Sequence, residues 1–288
     1  MTDAPVGLSA LLQRHDLHLK KSLGQNFLAD AVHLRRIVEA AELTRADTVI
    51  EVGPGAGTLT AHLAEAAGQV IAVELDQRLL PLLAETLRPY SNIAVVQGDI
   101  LQLDPAQLVA ALPAAPSSFK VVANLPYYIT SAAIRHLLTA AVRPSLLVLT
   151  IQREVAQRII AQPPEMSLLA VSVQFYSRPE IVARIPAGAF YPPPKVDSAI
   201  LRLRPWPAPP VAAPDDETFF RVVRAGFSQR RKQLRNSLRS GLALPQPAVD
   251  ALLTAAAVEG QRRAETLTLA EWGRLAYASL AVEGAAGD

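Results

Sequence analysis

Asn124-Leu125-Pro126-Tyr127 combines an amide, a forced turn and an aromatic face within four residues. The Asn124 side chain offers an amide oxygen, Pro126 sits where a main-chain carbonyl can turn inward, and Tyr127 offers a flat surface for stacking. Together they suit one chemical task, holding the exocyclic amine of a nucleobase. The motif follows a strand-like run, Phe119–Ala123, and precedes a helical pattern that starts near Thr130. That is the carboxyl end of a strand, where open α/β sheets place their ligands.

A second constellation lies earlier. Glu51-Val52-Gly53-Pro54-Gly55-Ala56-Gly57-Thr58 joins an apolar strand to a helix. Glycines here permit a tight turn and close approach of a ligand to the backbone. A nicotinamide fingerprint would need its third glycine at position 58, where this chain has Thr58. The spacing therefore favours the nucleoside-binding loop of methyltransferases over a dinucleotide site, with a purely structural turn as the alternative. Glu74 lies 21 residues after Gly53 and ends the second strand, the place from which an acid accepts bonds from ribose hydroxyls. Asp99 follows the third strand. Its carboxylate can accept from an adenine amine while Ile100 packs on the ring. S-adenosylmethionine fits this set, its cationic sulfonium matching the Glu51 that flanks the loop. Joined to the Asn124 motif, the site points to methylation of an amino group on a base.

These groups need a scaffold. Strands are expected at Thr48–Val52, Val70–Glu74, Ile93–Gln97, Phe119–Ala123 and Leu146–Ile151, with helices at Thr58–Ala67 and Gln77–Leu87 between them. Such alternation implies βαβ units, a parallel sheet and an α/β, Rossmann-like fold. Ala170–Tyr176 and Ala199–Leu203 read as two further strands at an antiparallel edge. Ahead of the sheet, Asp30 is placed to cap a helix whose apolar face is Leu34, Ile37, Val38 and Ala41. Pro205 to Pro214 holds five prolines in ten residues and reads as a stiff connector. It divides a catalytic domain, 1–207, from a helical domain, 208–288, with helical spacing in Phe219–Phe227, Ala248–Ala257 and Leu269–Leu280.

Composition narrows the classes further. The chain has 288 residues, of which 50% are apolar, enough for a full core. It has no cysteine, which removes disulfides, thiolate metal ligands and cysteine nucleophiles and fits a cytoplasmic protein. No apolar run approaches the ~18 residues of a membrane span, and no secretory leader is expected. The net charge of +2 says little, but its distribution says more. Phe219 to Arg239 carries seven basic residues (Arg221, Arg224, Arg230, Arg231, Lys232, Arg235 and Arg239) and no acid, the footprint of a polyanionic partner. A solvated helix face is the alternative.

Taken in order, these motifs resemble those of the ribosomal RNA adenine N6,N6-dimethyltransferases along nearly the whole chain. The resemblance runs through Lys21-Ser22-Leu23-Gly24-Gln25-Asn26-Phe27-Leu28, the Gly53 loop, Glu74, Gly98-Asp99 and Asn124–Tyr127. It continues through Gln152-Arg153-Glu154-Val155-Ala156, Phe190–Ser198 and Phe227–Asn236. It implies a class I S-adenosylmethionine-dependent methyltransferase with a small helical domain. By the same likeness Asn26 and Leu28 lie against the cofactor as a flap and Gly53 meets its methionine portion, with Gly55 of the same loop also at the cofactor. Glu74 meets the ribose, and Asp99 and Ile100 the adenine. Asn124 then stands between cofactor and base, Pro126 accepts from the target amine, and Tyr127 and Phe190 sandwich the base. Arg221, Arg224, Arg230, Arg231, Lys232 and Arg235 hold RNA phosphates. The implied substrate is a pair of adjacent adenines in a hairpin near the 3′ end of 16S rRNA, within the 30S subunit or its precursor. A single chain acts on it, without metal or membrane, and has a role in subunit biogenesis. A 23S rRNA adenine methyltransferase of the resistance type and a non-catalytic RNA-binding assembly factor stay open. One segment departs from the family: Pro164-Glu165-Met166-Ser167-Leu168-Leu169 stands where Tyr-Gly-Arg-Leu is usual.

Overall fold

A computed structural model describes residues 6–17, 26–112 and 116–286. Lys21 to Gln25 of the first motif lie outside the described residues. Helix α1 (Val6–Arg14), the short strand β1 (Phe27–Leu28) and α2 (Ala31–Ala40) come first. Asp30 caps α2, accepting from the Val32 and His33 N–H groups at 2.8 and 3.1 Å, and Leu34, Ile37 and Ala40 fill its buried face. The chain then alternates through β2 (Thr48–Val52), α3 (Thr58–Ala66), β3 (Gln69–Glu74), α4 (Leu80–Thr86), β4 (Ile93–Gln97) and α5 (Pro105–Ala110). It continues with β5 (Lys120–Asn124), α6 (Thr130–Leu138), β6 (Leu146–Gln152), α7 (Arg153–Ile160) and α8 (Leu168–Tyr176). After these come β7 (Ser177–Ile185), β8 (Phe190–Tyr191), β9 (Ser198–Pro205) and the helices α9 (Asp216–Phe227), α10 (Leu234–Gly241), α11 (Gln246–Ala255) and α12 (Leu269–Ala286).

Seven strands form one sheet in the order β4-β3-β2-β5-β6-β9-β7. The pairs from β4 to β6 are parallel, and β9 returns antiparallel beside β6. The chain winds outward from β2 to β4 and then crosses back to β5. The order therefore reverses between β2 and β5, and the two motifs that carry chemistry sit at the carboxyl ends of those neighbouring strands. β2 is buried along its length and β5 at its three central residues, as continuous apolar runs require when helices cover both faces.

Ala170–Tyr176 is helix, not strand. The Ser167 hydroxyl accepts from the Ala170 N–H at 3.1 Å and starts α8 there. A short apolar run buried on several sides has no periodicity that separates helix from strand. The strand follows it instead, as β7, whose side chains alternate between buried or half-buried and exposed.

The chain splits into two compact units, Met1–Ala156 with Arg178–Pro205, and Gln157–Ser177 with Trp206–Asp288. Residues 157–177 thus fold with the C-terminal helices, contrary to a single cut near 207. Aromatic packing explains the assignment. Phe175 stacks on Phe219 with centroids 4.2 Å apart, the Tyr176 hydroxyl donates to Asp216 at 2.7 Å, and the Trp206 indole donates to the Gln174 carbonyl at 3.1 Å. No helix among the described residues is long and apolar enough to cross a membrane.

Candidate active site

Gly53, Gly55 and Gly57 all take positive φ (69°, 60° and 83°), a region that L side chains avoid. The Gly53 N–H donates to the Val73 carbonyl at 2.9 Å, which ties the turn to β3. Gly55 passes beneath the Phe27 ring so closely that an added Cβ would lie 2.5 Å from a ring carbon. The loop therefore has a fixed curvature and one aromatic wall, with Gly53 half-buried and Pro54 to Gly57 buried.

Glu74 ends β3 against this loop. Its Oε2 accepts from the Gly55 N–H at 3.2 Å and its Oε1 from the Asp76 N–H at 2.8 Å. Burial raises its pKa above the ordinary glutamate value, against the pull of these two bonds. Each carboxylate oxygen keeps a second lone pair for a ligand hydroxyl. After β4, Asp99 Oδ1 accepts from the Leu101 N–H at 2.9 Å, which fixes the turn and leaves Oδ2 for a donor. Ile100 beside it is buried.

Asn124 is the last residue of β5. Its Nδ2 donates to the Asn26 carbonyl at 3.0 Å. That bond assigns the amide orientation and makes Oδ1 the acceptor offered by this side chain. Leu125 is buried and its N–H donates to the Thr150 carbonyl at 3.1 Å, which anchors the turn to β6. The Pro126 carbonyl accepts the Ile129 N–H at 3.1 Å and has one lone pair left. The Tyr127 ring is half-buried with its hydroxyl 2.8 Å from Ser198 Oγ, and burial raises its pKa, so the phenol is neutral.

One cavity of ≈ 210 Å³ gathers these groups. Asn26, Gly53, Gly55, Glu74, Asp99, Ile100, Asn124, Pro126 and Tyr127 all line it. Phe27 and Tyr128 do too, and the sequence reading missed both. Strand alternation was the available signal for Phe27, because residues 26 to 28 cannot all face one way.

Leu28 and Phe190 do not line the cavity. β1 and β8 form a two-stranded antiparallel ladder with Phe27 opposite Tyr191 and Leu28 opposite Phe190. Leu28 and Phe190 turn into the core with Leu34, Ile37, Val148 and Ile200. They brace the flap strand, and the Thr58 hydroxyl bonds the Leu28 carbonyl at 3.0 Å.

Glu51 does not serve the site as a charge, contrary to its place beside the glycine loop in the sequence. It is buried in β2, its Oε2 has no hydrogen-bond partner among the described residues, and burial, helped by nearby Glu74, pushes its pKa to about 8. It is protonated at neutral pH and brings no charge to a sulfonium. Above an ordinary glutamate pKa the unfolded chain releases a proton that the folded chain keeps. Stability should then fall by about 1.4 kcal/mol per pH unit as pH rises toward the folded value. Glu51→Gln cannot ionise, so its melting temperature should gain on the parent's progressively from pH 5 to pH 8. Parallel curves would show that Glu51 is ionised in the fold.

In the second unit, Arg224, Arg230, Arg231, Lys232 and Arg239 are exposed and Arg221 is half-buried. Arg235 differs, being half-buried, 3.7 Å from Asp250 and packed on Gly260. The atypical Pro164–Leu169 segment walls a cavity of ≈ 840 Å³ in this same unit, together with Phe227 and Arg230 to Lys232. Its Met166 N–H donates to the Glu265 carbonyl at 2.9 Å.

Comparison with known proteins identifies the family. A family model described as "Ribosomal RNA adenine dimethylase" matches residues 16–276. A ribosomal RNA small subunit methyltransferase A from Dehalococcoides mccartyi is 46% identical over 263 residues, 91% of this chain and 89% of that protein. The protein of the same name from Pelotomaculum thermopropionicum is 42% identical over 289 residues, 98% of each chain. Among solved structures, the 23S rRNA methyltransferase ErmE is 33% identical with a TM-score of 0.69, covering 88% of this chain and 99% of its own. This chain belongs to the ribosomal RNA adenine dimethylase family, whose enzymes draw methyl groups from S-adenosylmethionine.

Proposed function

We propose that the protein methylates N6 of two adjacent adenines in a hairpin near the 3′ end of 16S rRNA, each to N6,N6-dimethyladenosine, as a single chain acting on the 30S subunit or its precursor. The observation that carries this reading is the Asn124 amide, oriented by Asn26 and set in the same cavity as the glycine turn, Glu74 and Asp99. The small-subunit names of the relatives support the choice of RNA. A ribosomal substrate also implies action in the cytoplasm.

The cavity fits S-adenosylmethionine by the chemistry of its lining, which joins the Gly53 and Gly55 backbone to the Glu74 and Asp99 carboxylates and the apolar Ile100. Gly53 and Gly55 would hold its methionine portion, Glu74 its ribose, and Asp99 and Ile100 its adenine, with Asn26 closing over it. When bound, it supplies a methyl group on positively charged sulfur.

The protein's work is on the amine. The N6 lone pair of adenine is delocalised into the ring, so the nitrogen is a weak nucleophile. Asn124 Oδ1 and the remaining lone pair of the Pro126 carbonyl each accept one N6 hydrogen. Two acceptors so placed favour a pyramidal nitrogen and stabilise the positive charge that grows on it. No strong base is required, because the proton is acidic once nitrogen is cationic. After the first methylation one hydrogen remains, and only one acceptor stays engaged in the second transfer. Extruding the base costs a few kcal/mol. Stacking on Tyr127 returns ~1–3 kcal/mol. Arg224, Arg230, Arg231 and Lys232 are free to meet phosphates, and selectivity comes from RNA shape and unpaired loop bases.

Tritiated methyl transfer to 30S particles that lack the modification, with 50S particles and duplex DNA as controls, tests the assignment. Label should enter 16S rRNA and be recovered as dimethyladenosine. Label in 23S rRNA would favour the resistance-type reading, and tight binding without transfer the assembly-factor reading.

A further inference from the structure

Ser198 is fully buried at the start of β9, opposite Gln152 of β6, and its hydroxyl lies 2.8 Å from the Tyr127 phenol oxygen. Its neighbour Asp197 is held firmly. The Asp197 carboxylate accepts from the Ala187 N–H and from Arg184 Nε, both at 3.1 Å, and its carbonyl accepts from the Arg153 N–H at 2.9 Å. The β9 end is thus clamped to β6 and to the turn before β8, and the Ser198 hydroxyl has little freedom to follow a moving ring.

The phenol oxygen lies on the χ2 axis of tyrosine. A bond there fixes χ1, the direction in which the ring extends, and leaves ring spin to packing. Tyr127 is only half-buried, and the cavity leaves one side of it open. Without a tether at the far end, χ1 would be set by contacts along one edge alone.

We propose that Ser198 is a positioning residue for methyl transfer, pinning the Tyr127 phenol so that the ring stays where an extruded adenine must stack. This rests on the reading of Tyr127 as the stacking face. Ser198 touches neither base nor cofactor. Its effect should therefore fall on the rate of the chemical step and not on cofactor affinity.

Three measurements on the full chain test it. The protein has six tyrosines, so ring-ζ ¹³C labelling gives few signals, and Tyr127→Phe assigns one by its loss. Ser198→Ala should shift the Tyr127 signal and leave the others in place. In single turnovers on unmodified 30S particles, Ser198→Ala and Tyr127→Phe should each slow transfer roughly 3- to 10-fold. The double variant should be no slower than the slower single, since both remove the same bond. Calorimetric affinity for S-adenosylhomocysteine should stay at the parental value in all three. An unmoved carbon signal, a parental rate for Ser198→Ala, or effects that multiply in the double variant would overturn the proposal. A parent enzyme that labels no ribosomal RNA would instead overturn the functional reading beneath it.

Discussion

Asn124→Ala is expected to lower methyl transfer to unmodified 30S particles by roughly 10²–10³-fold, the usual loss for one preorganised group aimed at developing charge. Cofactor affinity should change little, because Gly53, Gly55, Glu74 and Asp99 remain. The same amide also donates to the Asn26 carbonyl, so the alanine variant loosens the flap as well. Asn124→Asp separates the two effects. It keeps an acceptor for the amine but cannot donate to Asn26, and a carboxylate facing that carbonyl is repelled. If Asn124 acts mainly as an acceptor, the aspartate variant keeps more activity than the alanine variant in single turnovers. Full activity in Asn124→Ala would remove the residue from the mechanism.

Glu74→Ala should weaken S-adenosylmethionine binding by roughly 10- to 100-fold, since hydrogen bonds to a charged group contribute about 1.5–3 kcal/mol. Two losses combine here. The ribose hydroxyls lose their acceptor, and the Gly55 and Asp76 N–H groups lose theirs, so the glycine turn keeps its Gly53–Val73 tie to β3 but loses its brace at Gly55. Glu74→Gln tests the second part. Its amide can accept one of those N–H groups but presents a donor to the other, so binding should fall between the parent and the alanine variant. Calorimetry reads all three directly, and an unchanged affinity in Glu74→Ala would place the ribose elsewhere.

Much of the first unit was legible in the sequence because its strands announce themselves physically. Thr48–Val52 and Ile93–Gln97 fall where the apolar runs placed them, and the glycine turn, Glu74, Asp99 and Asn124 follow the strand ends as a doubly wound sheet demands. Local chemistry carried the Asp30 cap in the same way. The failures share a different cause. Ala170–Tyr176 is too short to show a helical period, and Ser172 and Gln174 alternate with its apolar residues as in a strand, while β7 hides behind Pro179 and its charged residues. The side each residue of β1 and β8 faces depends on a pairing between segments far apart in the chain, so Leu28 and Phe190 could not be sorted from Phe27 by local pattern. Glu51 looked like part of the site because it adjoins the glycines. Only burial shows that its carboxyl stays protonated. The unit boundary near 157 likewise depends on aromatic packing of Phe175 on Phe219, which no composition shift reveals.

Methyl transfer here depends on two oxygens, one from a side chain and one from the main chain, that grip a single adenine nitrogen. A crystal structure of the protein with S-adenosylhomocysteine and an RNA hairpin carrying the target adenine measures this most directly. The adenine N6 should lie within about 3.2 Å of both Asn124 Oδ1 and the Pro126 carbonyl oxygen, with the base against Tyr127. An adenine seated in the site with its amine turned away from both oxygens would contradict it.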